Sequence, residues 1–163
     1  EFRHYVVFAD VIESITGEHI TTDVLATYEY PEEHSLRMLR QGYIKQHGRL
    51  ARFASSFCEG GGASIFFEGM QIGGDKLSEQ IAAACRNVHD DEVGHAEHGA
   101  ENLHEGAQTE DEWQLAGEMV EAISRQRLRM RNEQFGFVLS EDRVNDIGDG
   151  NIELPDRLRQ FLV

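Results

Sequence analysis

One amphipathic stretch limits what this chain can become. Between Leu77 and Glu105 apolar side chains recur with helical spacing, giving an inner stripe of Leu77, Ile81, Ala84 and Cys85, Val88, Gly99 and Leu103. Two further members of that stripe, Glu92 and His95, are not apolar. Three residues apart, they project side by side from one helix face. An ionised carboxylate buried without a compensating cation costs several kcal/mol. A fold that accepts this helix must therefore bring positive charge to Glu92. A metal ion taking both the carboxylate and the imidazole meets that need.

The rest of the chain reads as helices around this one. Residues 1–16 carry a stripe of Glu1, His4, Phe8, Val11 and Ile12, and Ile15, so Glu1-Phe2-Arg3-His4 is a second Glu-x-x-His on an apolar face. Gly17 is the expected stop. Thr21 to Asp23 are expected to cap a short helix over 23–29, and Pro31 to open another that runs to about Gln46. A long helix is expected over 49–72, apolar nearly all round, with Glu59 and Glu68 its only charges between Phe53 and Ile72. Gly60, Gly61 and Gly62 would each cost that helix about 1 kcal/mol relative to Ala, which points to a close neighbour, a bulge or room for a ligand.

Gly73-Gly74-Asp75 turns the chain into the central helix, 77–105. Thr109 with Glu112 has the form of a capping box for an additional helix over 110–139, with Trp113, Ala116, Val120, Ile123 and Arg127 on one face. Arg125, Arg127, Arg129 and Arg131 alternate along it and are expected to spread over a solvated surface, paired with Glu. The tail 145–163 is expected to be irregular, with a short helix after Pro155. The fold expected is all-α, one domain over 1–163.

Glu-x-x-His occurs three times, whereas twenty Glu and eight His would give about one by chance. Helical phase separates the three. Glu1/His4 and Glu92/His95 lie on apolar stripes; Glu101/His104 lies with Glu97 and Glu105 on the outer face. Glu59 stands 58 residues after Glu1 and 33 before Glu92, the latter enough for one helix to end and the next to return to the same level. Glu68, 24 before Glu92, falls short of it. A di-metal carboxylate site in a helix bundle takes a Glu from each of two helices and a Glu-x-x-His from each of the other two. The candidate metal ligands are Glu1, His4, Glu59, Glu92 and His95.

On these residues the chain resembles the ferritin-like di-iron carboxylate proteins, particularly their oxidative branch of bacterial multicomponent monooxygenases, acyl-carrier-protein desaturases, aldehyde-deformylating oxygenases and the ribonucleotide reductase small subunit. The resemblance covers Glu1 to about Leu103 and rests on EFRH at 1–4, the Glu59 helix and DDEVGH at 90–95. It implies a ferritin-like antiparallel helix bundle with additional helices, its first bundle helix lying upstream of Glu1 and supplying another carboxylate. It implies two iron ions, manganese being the alternative, with Glu59 and Glu92 as the catalytic carboxylates that change binding mode. Asp91 is implied to hydrogen-bond a ligand histidine from the second shell. The implied activity is O₂-dependent oxidation of an apolar or acyl substrate, with electrons from a separate reductase or ferredoxin, in a homo-oligomer. The reductase subunit places its radical tyrosine four residues after the first histidine; Phe8 stands there in this chain, which argues against radical generation. Two alternatives are an iron-oxidising or storage protein of the same superfamily and a non-catalytic helical interaction subunit.

Bulk properties narrow the partners. A net charge of −15 disfavours nucleic acid and anionic membrane surfaces. No apolar run reaches the roughly 18 residues of a membrane span. Cys58 and Cys85 each sit within an apolar helical segment and read as core thiols of a protein in a reducing cytoplasm.

Overall fold

Local signals set the helix boundaries. The computed structural model describes residues 2–59, 63–136, 139–153 and 156, with backbone alone at Phe2 and at 93–97. Its α-helices are α1 (Phe2–Thr16), α2 (Thr22–Ala26), α3 (Pro31–Phe57), α4 (Ala63–Gly69), α5 (Lys76–Gly106), α6 (Glu110–Phe135) and α7 (Glu141–Gly148). No strand occurs among the described residues, so the architecture is all-α. Pro31 occupies the first turn of α3, where its missing N–H costs nothing. Asp75 caps α5 by accepting the Leu77 and Ser78 N–H groups at 2.9 and 3.0 Å. Thr109 and Glu112 complete the capping box of α6.

Packing follows the apolar stripes. α3 lies against both α5 and α6, α5 also receives α1 and α4, and α7 folds onto α6. Ala51 and Ala54 of α3 meet Ala116 and Met119 of α6 and Leu103 of α5, all buried. The small residues let α3 and α6 approach closely at interior packing density. A second cluster joins Leu36 and Cys58 to Ile123 and Met130 farther along the same seam. Cys58 and Cys85 are buried free thiols. Among the described residues, no helix is long and apolar enough to cross a membrane.

Three boundaries differ from those read in the sequence. The helix expected over 49–72 is not continuous. Its first part is the second half of α3, which runs on from Pro31 through a kink at Gly48 (φ 58°, ψ −119°), a conformation glycine adopts without a Cβ penalty. α3 then ends at Phe57, and helix resumes at Ala63 as α4. Gly60, Gly61 and Gly62, expected to lie within that helix, are outside the described residues. α6 ends at Phe135 instead of 139, because Gly136 takes a left-handed cap (φ 63°). The tail expected to be irregular from Asn145 instead contributes to α7, started by Ser140, whose hydroxyl accepts the Arg143 N–H. The helix expected after Pro155 falls almost wholly outside the described residues.

One close approach sets the height of α5 against α3. A Cβ on Gly99 would stand 2.9 Å from Phe57 Cα and 3.2 Å from Phe57 N, so the neighbour is backbone that has little room to give. Gly117, on the exposed side of α6, has nothing within 4 Å of that position. Gly99→Ala is therefore expected to destabilise the fold by about 1–3 kcal/mol through overpacking. Gly117→Ala is expected to stabilise it by about 0.5–1 kcal/mol through helix propensity. Urea denaturation of the two variants checks both signs.

Candidate metal centre

α1 and α5 bring together side chains nearly ninety positions apart. Glu92 is 8% exposed and is the sole buried charged residue among those described. His4 Nδ1 stands 3.5 Å from Glu92 Oε1, and His4 Nε2 is 3.2 Å from Asp91 Oδ2. Asp91 also meets Arg3 at 3.5 Å, at the more exposed edge of the group. His4, Glu92 and Glu59 line one pocket of about 420 Å³, together with Phe8, Phe66 and Val88 on its apolar side. The Phe8 and Phe66 rings stack with centroids 6.0 Å apart.

The five candidate ligands divide as follows. His4, Glu59 and Glu92 come to the same pocket. Glu1 lies outside the described residues, and of His95 only the backbone, within α5, is described. Glu59 does not project from a continuous buried helix as its sequence context implied; it follows Cys58 in the short turn that ends α3. There it takes an ion pair from Arg40 at 2.5 Å. Asp91 holds a candidate ligand histidine, His4. Glu101 and His104 are exposed, on the outer face where phase put them. Tyr5 also lines the pocket, but its hydroxyl donates to the Ile20 carbonyl at 2.7 Å.

The sequence reading missed the pocket's arginines. Arg125 and Arg129 do pair on the surface, Arg125 with Glu121 and Asp149 and Arg129 with Glu141. Arg127 and Arg131 instead turn inward and line the pocket with Arg40. Arg127 donates to the Cys58 carbonyl, closing the C-terminal end of α3 with a cation, where the helix dipole favours one. Burial above all holds Arg127 below the ordinary arginine range, and Arg131 likewise, with Arg127 as a lesser contributor to the latter. Both remain cations at neutral pH. The signal was present: Arg127 shares the stripe of Ala116, Val120 and Ile123, as Glu92 shares that of Val88.

The donor chemistry at His4 and Glu92 fits a metal ion. If Nε2–H donates to Asp91 and Nδ1 carries no proton, the Nδ1 lone pair faces a buried carboxylate, an arrangement that a metal ion between them would relieve. The 3.5 Å separation exceeds that of ordinary N–H···O hydrogen bonds. It is close to the roughly 3.0–3.4 Å expected of two donors sharing one ion at about 2.1 Å each. An imidazole steadied by a carboxylate on its far nitrogen is the usual setting of a metal-binding histidine. Among the described residues, which include neither Glu1 nor the His95 side chain, no group of three or more His, Cys, Asp or Glu is placed to hold a metal ion. No known protein family, characterised protein or solved structure matches the chain.

Cys58 reports on the floor of this site. Its thiol is buried beside Val120 and Ser124, and burial pushes its pKa up, so it should be nearly inert in the folded protein. Arg127→Gln removes the charged hydrogen bond to the Cys58 carbonyl, worth about 1.5–3 kcal/mol. Labelling of Cys58 by a neutral disulfide reagent should then speed up roughly 10–100-fold by more frequent local opening, with Cys85→Ser as background to isolate it. An unchanged rate would show that Arg127 does not hold this junction closed.

Proposed function

We propose that this chain is a di-iron carboxylate oxidoreductase, oxidising an apolar or acyl substrate with O₂ and taking electrons from a separate reductase or ferredoxin. The observation that carries this reading is His4 Nδ1 facing the buried Glu92 carboxylate while Asp91 takes Nε2. His4, Glu59 and Glu92 are the described residues that would hold metal, with Glu1 and His95 the expected remainder. When bound, the iron pair supplies the O₂ chemistry that amino-acid side chains lack.

The chain's own residues have definable tasks. Asp91 fixes the tautomer and orientation of His4. Glu92, buried between α1 and α5, presents a carboxylate to the pocket. Arg40 holds Glu59 in an ion pair at the pocket wall. Phe8, Phe66 and Val88 exclude water and give an apolar substrate a surface to bury. That apolar wall favours substrate oxidation over iron storage, which needs no such surface.

The Arg40–Glu59 ion pair favours a second reading, in which arginines alone balance the carboxylates and the domain binds a ligand without metal. Metal analysis of purified protein separates the two, with optical spectra before and after reduction and exposure to O₂. Up to two irons per chain and an O₂-dependent absorption change are expected. Glu92→Ala should abolish stoichiometric binding, whereas Glu101→Ala should leave it intact. Asp91→Ala should weaken affinity by about 10–100-fold. Absence of bound iron in wild-type protein, or equal loss from the Glu92 and Glu101 variants, would favour the metal-free reading.

A further inference from the structure

Three guanidinium groups face two carboxylates in the pocket. Arg40 is taken by Glu59. Arg127 reaches the Cys58 carbonyl, and Arg131 donates to Gln134 Oε1 at 2.9 Å. Among the described residues neither Arg127 nor Arg131 has a carboxylate within ion-pair distance; Glu59 and Glu92 act on Arg127, and Glu33 on Arg131, only from farther away. They are four apart on α6, so two partly buried like charges stand side by side. Desolvated cations placed this way are costly unless an anion joins them. The planar fork of arginine matches a carboxylate in two parallel hydrogen bonds. A dianion such as phosphate would suffer more from Glu59 and Glu92 than a monoanion would.

We propose that the pocket binds an amphiphilic organic carboxylate, its head on Arg131 and Arg127 and its apolar body against Phe8, Phe66 and Val88. This names the substrate class for the oxidoreductase reading, yet it rests on the arginines and the pocket, which require no metal. Arg131 is the better probe, because Arg127 also closes the end of α3.

The test is calorimetric titration of the full chain with octanoate, its neutral counterpart octanamide, and acetate. It is run on protein as purified and after chelation, with metal content measured in both. Octanoate is expected to bind about tenfold or more tighter than octanamide, and acetate much more weakly than octanoate. Arg131→Gln should lower octanoate affinity about tenfold or more and leave octanamide unchanged. Arg131→Lys, which keeps the charge but loses the fork, should fall between, and it carries the test if the Gln variant does not fold. Equal affinity for octanoate and octanamide, no octanoate binding by wild type, or wild-type affinity in whichever variants fold would overturn the proposal. Octanoate binding that vanishes with the metal would overturn it too, since the head would then sit on the ion. Binding that persists in protein devoid of iron supports it even where the oxidoreductase reading fails.

Discussion

The site depends on the need to neutralise one carboxylate. Glu92 is buried at the interface of α1 and α5, where the helical stripe of α5 would otherwise place an apolar side chain. Water cannot solvate it there, so its charge must be balanced from within the fold. His4 is set opposite at 3.5 Å, and Asp91, the preceding residue on α5, grips the far nitrogen of the same ring. A histidine held between two carboxylates is fixed in orientation. A cation between them relieves that arrangement; an apolar residue at either position would remove the reason for it.

Scaffold and charge are coupled through the end of α3. Gly99 lets α5 approach Phe57 closely, and two residues on, Glu59 enters the pocket where Arg40 meets it. Arg127 reaches across from α6 to the Cys58 carbonyl, so the cation that closes the helix also contributes to the potential of the pocket. The same arginines that steady Glu59 oppose the entry of further positive charge and invite an anion. If this pocket held both a metal ion and an anionic ligand, the second would offset the charge added by the first.

The all-α architecture, the start of α3 at Pro31, the turn at Gly73-Gly74-Asp75 into α5, the Thr109 capping box and the inward face of Glu92 were legible because each rests on local spacing. The outward face of Glu101 and His104 was legible for the same reason. What escaped depends on contacts between distant segments or on competing local preferences. The stop of α3 at Phe57 combines a glycine run that disfavours helix with a cap supplied by Arg127, sixty-nine residues away. The α7 helix, capped by Ser140, runs through Asn145 to Gly148, residues of low helix propensity that hide it in the sequence. Arg127 and Arg131 were read as surface charges by their alternation, which describes sequence neighbours and not helix neighbours. The phase criterion that singled out Glu92 would have singled out Arg127.

The most direct measurement is anomalous diffraction from crystals of the full chain grown anaerobically with Fe(II), with data collected on both sides of the iron absorption edge. An anomalous peak is predicted between α1 and α5, about 2.0–2.3 Å from both His4 Nδ1 and Glu92 Oε1. A pocket without that peak, with Arg40 on Glu59 and a hydrogen-bonded His4–Glu92 pair in its place, would contradict the assignment of this pocket as a metal centre.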